Sequence, residues 1–162
     1  MLEIAQELKN DSLKAISYNW LGTYFYQQKG DNTSALEYYF KALPLAEKLK
    51  EKRRISSIYF DMALVYFDML DYQKALEVTR KGGENLPEKT NPMYDFMLLQ
   101  YEANMTQYFL ITKHADSAFY YAQKCHETTG RFNNAVAYVF LDYMNLAAAY
   151  AISGDVQKAI GI

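Results

Sequence analysis

Apolar residues along this chain recur three and four positions apart, the spacing of helices that bury one face. The pattern predicts four first helices, near 11–29, 52–70, 92–112 and 132–153. Each is followed by a partner, near 33–50, 72–84, 115–128 and from 155 onward. The turns inside the pairs read KGDNTSA, MLDYQKA, KHADSA and SGDVQKA. Asp31 or Asn32, Asp71 and Asp155 are natural N-caps there, because their side chains accept from free backbone N–H groups. Pro44 falls inside a partner helix and is expected to bend it by freeing the carbonyl of Phe40. The stretch KGGENLPEKTNP, residues 81–92, reads as the main loop, with Gly82, Gly83, Pro87 and Pro92 as breakers.

The helices repeat. A small residue recurs at Gly22, Ala63, Thr106 and Ala147, in steps of 41, 43 and 41. Three residues later stands an aromatic: Phe25, Tyr66, Phe109 and Tyr150. After the turn comes Ala35, Ala75, Ala118 or Ala159, in steps of 40, 43 and 41. A further small residue, Ala42, Gly82 or Cys125, lies seven beyond the first three of these. Small side chains let two helix backbones approach, and the aromatic one turn away fills the wedge beside them. The three alanines are therefore expected to be almost fully buried.

The residues Tyr18, Leu21, Gly22, Phe25, Gly30, Asp31, Ala35, Leu36, Tyr38, Tyr39, Ala42 and Leu43 reproduce a known repeat pattern. In them the chain resembles the tetratricopeptide-repeat family. The resemblance implies an all-α fold, a right-handed α-solenoid of antiparallel helix pairs, with a concave face used for binding proteins or peptides. The repeats here run 40–43 residues against about 34 in the usual unit, and they lack its closing Pro. The extra length is expected at the end of each second helix, as in PLAEKLKEKRR. Units this long are similar to those of bacterial signalling proteins, peptide-sensing regulators and sensor kinases among them. Residues 1–162 read as one repeat domain: a partial unit at 1–9, then units near 11–50, 52–91, 92–130 and 131–162. Both ends fall within a repeat, so the expectation is a fragment of a longer array whose exposed ends favour self-association.

Composition narrows the function. With 51 % apolar and 22 % charged residues the chain belongs with folded soluble domains. A net charge of −2 offers no field for nucleic acid. The run Lys48, Lys50, Lys52, Arg53, Arg54 is interrupted by Glu47 and Glu51 and straddles a helix junction, so it reads as a solvated junction. No apolar run is long enough to span a bilayer. The single cysteine, Cys125, sits in a small-residue column and reads as a buried apolar side chain. It fits a reducing compartment, slightly favouring cytoplasm, with the periplasm open if a signal lies outside these residues. His114 and His126 lack metal-ligand spacing, and no phosphate, dinucleotide or nucleophile-elbow motif occurs. The sequence thus points to no enzyme, no cofactor and no metal site.

Helical phase places the binding face two and three residues before the small column, one after it, and four and five beyond. That selects Asn19, Trp20, Thr23, Tyr26 and Gln27 in the first unit. The second gives Phe60, Asp61, Leu64, Phe67 and Asp68, and the third Ala103, Asn104, Gln107, Leu110 and Ile111. The fourth gives Met144, Asn145, Ala148, Ala151 and Ile152. Asn19, Asp61, Asn104 and Asn145 form an expected row of amide and carboxylate groups, suited to clamping a peptide backbone. Trp20, Phe60, Leu64 and Ile111 would supply apolar pockets, and Gln107 a further amide. With no Lys or Arg on this face, an uncharged or basic extended peptide is favoured over an acidic one. The competing reading is a structural segment that assembles with copies of itself.

Overall fold

In the computed structural model, residues 10–131, 146 and 148–154 are described. All six of their α-helices lie where the periodicity places them: α1 (Asp11–Tyr24), α2 (Asn32–Lys48), α3 (Lys52–Asp68), α4 (Tyr72–Glu84), α5 (Tyr94–Ile111) and α6 (Ala115–Thr129). A π-helical turn, Phe25–Lys29, extends α1, and residues 148–153 are helical. No strand occurs among the described residues. The chain divides into two compact units, Met1–Pro87 and Glu88–Ile162. In the first, α1 pairs with α2 and α3 with α4, while α2 also packs on α3; in the second, α5 pairs with α6.

The repeat columns are the contacts between paired helices. Ala35, Ala75 and Ala118 are each 0 % exposed, as are Ala42, Ala63 and Thr106. Gly22 lies against the ring of Tyr39, and Gly82 against that of Phe60. Phe25 stacks on Tyr38 with centroids 5.3 Å apart, and Phe109 stacks on Tyr121 at 5.6 Å, so the aromatic wedge recurs in both units. Within the second unit, Ala118 and Ala122 pack with Leu146 and Ala149, walled by Phe109, Leu110, Phe119 and Tyr150. Cys125, 1 % exposed, takes its place in the small column.

Each short turn does two jobs. Gly30, Lys50, Leu70 and Lys113 all adopt left-handed backbone, with φ between 55° and 63°. The next residue donates its N–H five positions back, Glu51 to Ala46, Asp71 to Tyr66 and His114 to Phe109, or six back across the π-helical turn, Asp31 to Phe25. These are Schellman closures, which satisfy the last carbonyls of one helix. The donor residue is also the N-cap of the following helix. Asp31 and Asp71 do this with their carboxylates, accepting from the N–H of Ser34 at 3.0 Å and of Lys74 at 3.2 Å. Asp155 lies outside the described residues.

Two boundaries differ from the sequence reading. PLAEKLKEKRR extends the second helix only in its first half: residues 44–48 close α2, while Lys52, Arg53 and Arg54 open α3. Glu51 bonds both Arg54 and Ser12, and Lys48 pairs with Asp11 at 2.6 Å, so the cationic run is a junction held by carboxylates. The break at 81–92 is shorter than expected, because Gly82 and Gly83 lie within α4. Gly82 is kept for proximity, since Phe60 fills the space a side chain would need. Pro44 is accommodated inside α2, which runs on to Lys48.

Candidate functional site

The π-helical turn has its origin in the repeat arithmetic. Ala75 follows Ala63, and Ala118 follows Thr106, by twelve residues, whereas Ala35 follows Gly22 by thirteen. The first pair therefore holds one extra residue between two packing columns that cannot move. A wider turn at Phe25–Lys29 absorbs it. This turn carries Tyr26, whose hydroxyl bonds Asp68 at the end of α3.

Seven residues back, about two turns along α1, the Asn19 amide donates to the carboxylate of Asp61. The two pairs, Asn19–Asp61 and Tyr26–Asp68, stitch the first helices of adjacent repeats. Beneath them, the Tyr39 hydroxyl donates to Thr23 Oγ1 at 3.4 Å, and Thr23 donates to the Asn19 carbonyl at 3.2 Å. Tyr39 is 1 % exposed and forms the floor of the seam.

Burial dominates the electrostatics. Desolvation pushes the Asp61 carboxyl up to about 7, and the bond from Asn19 offsets only part of it. Desolvation likewise raises Tyr26 to about 12, with Asp68 adding to the effect. Because Asn19 donates through its nitrogen, its amide oxygen is left as an acceptor; it is buried and without a partner.

Of the residues selected from sequence, Asn19, Thr23, Asp61 and Leu64 are half-buried on α1 and α3. Trp20 is 68 % exposed, a large aromatic surface beside Asn19. Phe60 is 2 % exposed and belongs to the core, where Gly82 receives its ring; its expected role as a ligand pocket gives way to packing. In the second unit, Asn104 is buried at 6 % and so does not project as a free side chain, while Gln107 and Ile111 are exposed. Asn145 lies outside the described residues.

The expected row also mixes two columns. With the offset of 41, Asn19 corresponds to Phe60, and Trp20 corresponds to Asp61. Asn19 reaches Asp61 diagonally across the seam, not as its equivalent in the next repeat. Sequence reasoning also passed over Tyr39 as the floor of the seam, although its place in the repeat pattern marks it for burial. It likewise missed Glu102, buried at 6 % with Oε2 unpartnered, whose carboxyl is raised mainly by desolvation. A lone Glu in a helix gives no signal of burial.

Among the described residues no group of three or more His, Cys, Asp or Glu could hold a metal ion, and no helix is long and apolar enough to cross a membrane.

Residues 15–48 match the family model described as Tetratricopeptide repeat. No curated protein matches the chain in sequence. Among solved structures, the chain is similar to the crystal structure of BtubC (BKLC) from P. vanneervenii, with a TM-score of 0.86 at 20 % identity. The similarity covers 99 % of this chain and 65 % of that one, so the chain spans about two thirds of the length of BtubC. At this identity it shows a shared fold of stacked helix pairs. The unit at residues 15–48, whose columns and turn chemistry are laid out above, is the part of the chain that matches the tetratricopeptide repeat.

Proposed function

We propose that this chain is a non-catalytic protein-interaction module that takes an extended, uncharged or basic peptide on the face formed by α1 and α3. Tetratricopeptide repeats are typically interaction modules, and the match at 15–48 supports the coarser part of this reading. The observation that carries the finer part is the seam itself. Trp20 stands 68 % exposed beside Asn19, whose buried amide oxygen has no partner. Exposed aromatics next to unsatisfied polar groups are the composition of a contact surface. Asp61 and Asp68 disfavour an acidic ligand on this face. The repeat length, similar to that of bacterial signalling proteins, supports a place in the sensory or regulatory region of a larger protein.

Selection of displayed peptides on the immobilised 162-residue chain tests the reading. Peptides recovered on the wild type should lose about tenfold in affinity on Trp20→Ala, the cost of truncating one exposed aromatic anchor. They should bind Phe40→Ala unchanged, since Phe40 is exposed on α2. Equal affinity for all three proteins would reject the face.

A further inference from the structure

The α1–α3 seam contains an acceptor that no donor answers. The Asn19 amide nitrogen donates to the Asp61 carboxylate, while the amide oxygen is buried and unpartnered. A buried acceptor left in this way costs free energy, and folded proteins seldom keep one. The neighbouring hydroxyl protons are spent elsewhere: Tyr26 donates to Asp68, Tyr39 to Thr23, and Thr23 to the Asn19 backbone carbonyl. The group left to supply a proton is Asp61 itself. A carboxylic acid and a primary amide are planar forks of matching span. One N–H···O bond already joins this pair, so an acid O–H on the second carboxyl oxygen completes a ring of two bonds. An ionised carboxylate only accepts and leaves the ring open.

We infer that the α1–α3 seam is a proton-controlled joint between adjacent repeats, closed when Asp61 carries a proton that it donates to the Asn19 amide oxygen. When the proton leaves to solvent the second bond is lost, and two acceptors face each other. The seam then holds a charged carboxylate with a single donor, and α1 loosens on α3. Trp20 adjoins Asn19, and Leu64 follows Asp61 within one helical turn, so the joint sets the spacing of side chains that both helices present. Desolvation places the change near neutrality, holding the Asp61 carboxyl up at about 7. The other ionisable groups around it are Tyr26 from the π-helical turn, Tyr39 from α2 and Asp68 from α3 itself, and none is a cation that would favour ionisation. The charged residues of α2 and α4 are all exposed, and Tyr72 of α4 lies against Phe67. On α1, Asp11 and Lys14 lie more than a turn before Asn19.

The test is an NMR titration of the isotope-labelled full chain between about pH 5 and pH 9, on either side of the Asp61 transition. The side-chain Cγ atoms of Asp61 and Asn19 report the two partners separately. Asp61 should titrate with a midpoint of about 7, and the Asn19 carbonyl carbon should move with the same midpoint as its oxygen loses a bond. Hydrogen-exchange protection of the α1 and α3 amides beside the seam, corrected for the intrinsic effect of pH, should fall about tenfold across the transition, the usual weight of one hydrogen bond. Asp61→Asn should keep its protection at both ends of the range, because its amide donates to the same oxygen and has no proton to lose. An Asn19 carbonyl that stays still while Asp61 titrates places the proton elsewhere and overturns the joint. So does an Asp61 midpoint in the ordinary carboxylate range, or protection that falls equally in the wild type and Asp61→Asn.

Discussion

A methyl group added to Gly22 would lie 2.5 Å from Cε1 of Tyr39 and 2.6 Å from its Cδ1. The ring cannot yield easily, because Tyr39 is 1 % exposed and bonded to Thr23. Gly22→Ala should therefore destabilise the chain by roughly 1–3 kcal/mol, the range for overpacking a filled core. This outweighs the gain of about 1 kcal/mol in helix propensity that Ala brings. Urea unfolding of Gly22→Ala and of Gly22→Ala with Tyr39→Leu checks the cause. The penalty should shrink in the double variant, and an equal penalty in both would show that the ring is not responsible.

The left-handed turn residues offer a different test. Leu70 adopts φ 60° while its side chain is 70 % exposed, so its conformation costs strain without visible compensation. Leu70→Gly should stabilise by about 0.5–1 kcal/mol, after the added chain entropy of Gly in the unfolded state is subtracted. Gly30→Leu, at the matching position of the first turn, should cost about 1 kcal/mol or more. Thermal melts of both variants check the pair, and a loss of stability in Leu70→Gly would contradict the turn geometry.

The helices and their pairing were legible because each column is filled by size. Ala35, Ala75 and Ala118 hold positions where only a small side chain fits, and a spacing read along the chain becomes a contact. The seam was harder to read. Asn19 and Asp61 look like one row only if the columns are ignored, and their bond runs diagonally between repeats. The thirteen-residue step from Gly22 to Ala35 was visible in the sequence. Where the extra residue would be absorbed was not, because a turn or either helix could have taken it. Phe60 was assigned to the surface by helical phase alone; the neighbouring glycine at 82, on another helix, decides its burial.

Asp61 makes stability depend on pH in a stated direction. Its carboxyl stands near 7 in the fold against 3.8 as the ordinary value, so the folded state holds the proton more tightly. The stabilising effect of that proton is complete below about pH 4 and is lost as pH rises through about 7. Asp61→Asn removes the dependence and should be more stable than the wild type at pH 8, by roughly 1–3 kcal/mol after allowance for partial solvent access. At pH 4 the two should be nearly equal. Denaturant unfolding at both values checks this; a wild type that gains stability relative to the variant from pH 4 to pH 8 would contradict it.

The π-helical turn should be removable. Deleting Gln28 brings Ala35 to twelve residues from Gly22, as in the other repeats, and α1 should then continue as a regular helix to the turn. The variant should remain folded but lose the Tyr26–Asp68 bond, because the tyrosine rotates about the helix axis. Deleting Met69 from the second repeat, which has no residue to spare, should lower the melting temperature far more. Comparable losses from both deletions would show that the extra residue is not what the π turn accommodates.

The most direct measurement is where a bound peptide touches the protein. A display-selected peptide titrated into the isotope-labelled chain should shift the resonances of Asn19, Trp20, Thr23 and Leu64 on α1 and α3. Those of Phe40 on α2 and Glu77 on α4 should stay in place. Shifts confined to α2 and α4, or no shifts from the peptide alongside self-association on concentrating the protein, would contradict a ligand face on the first helices.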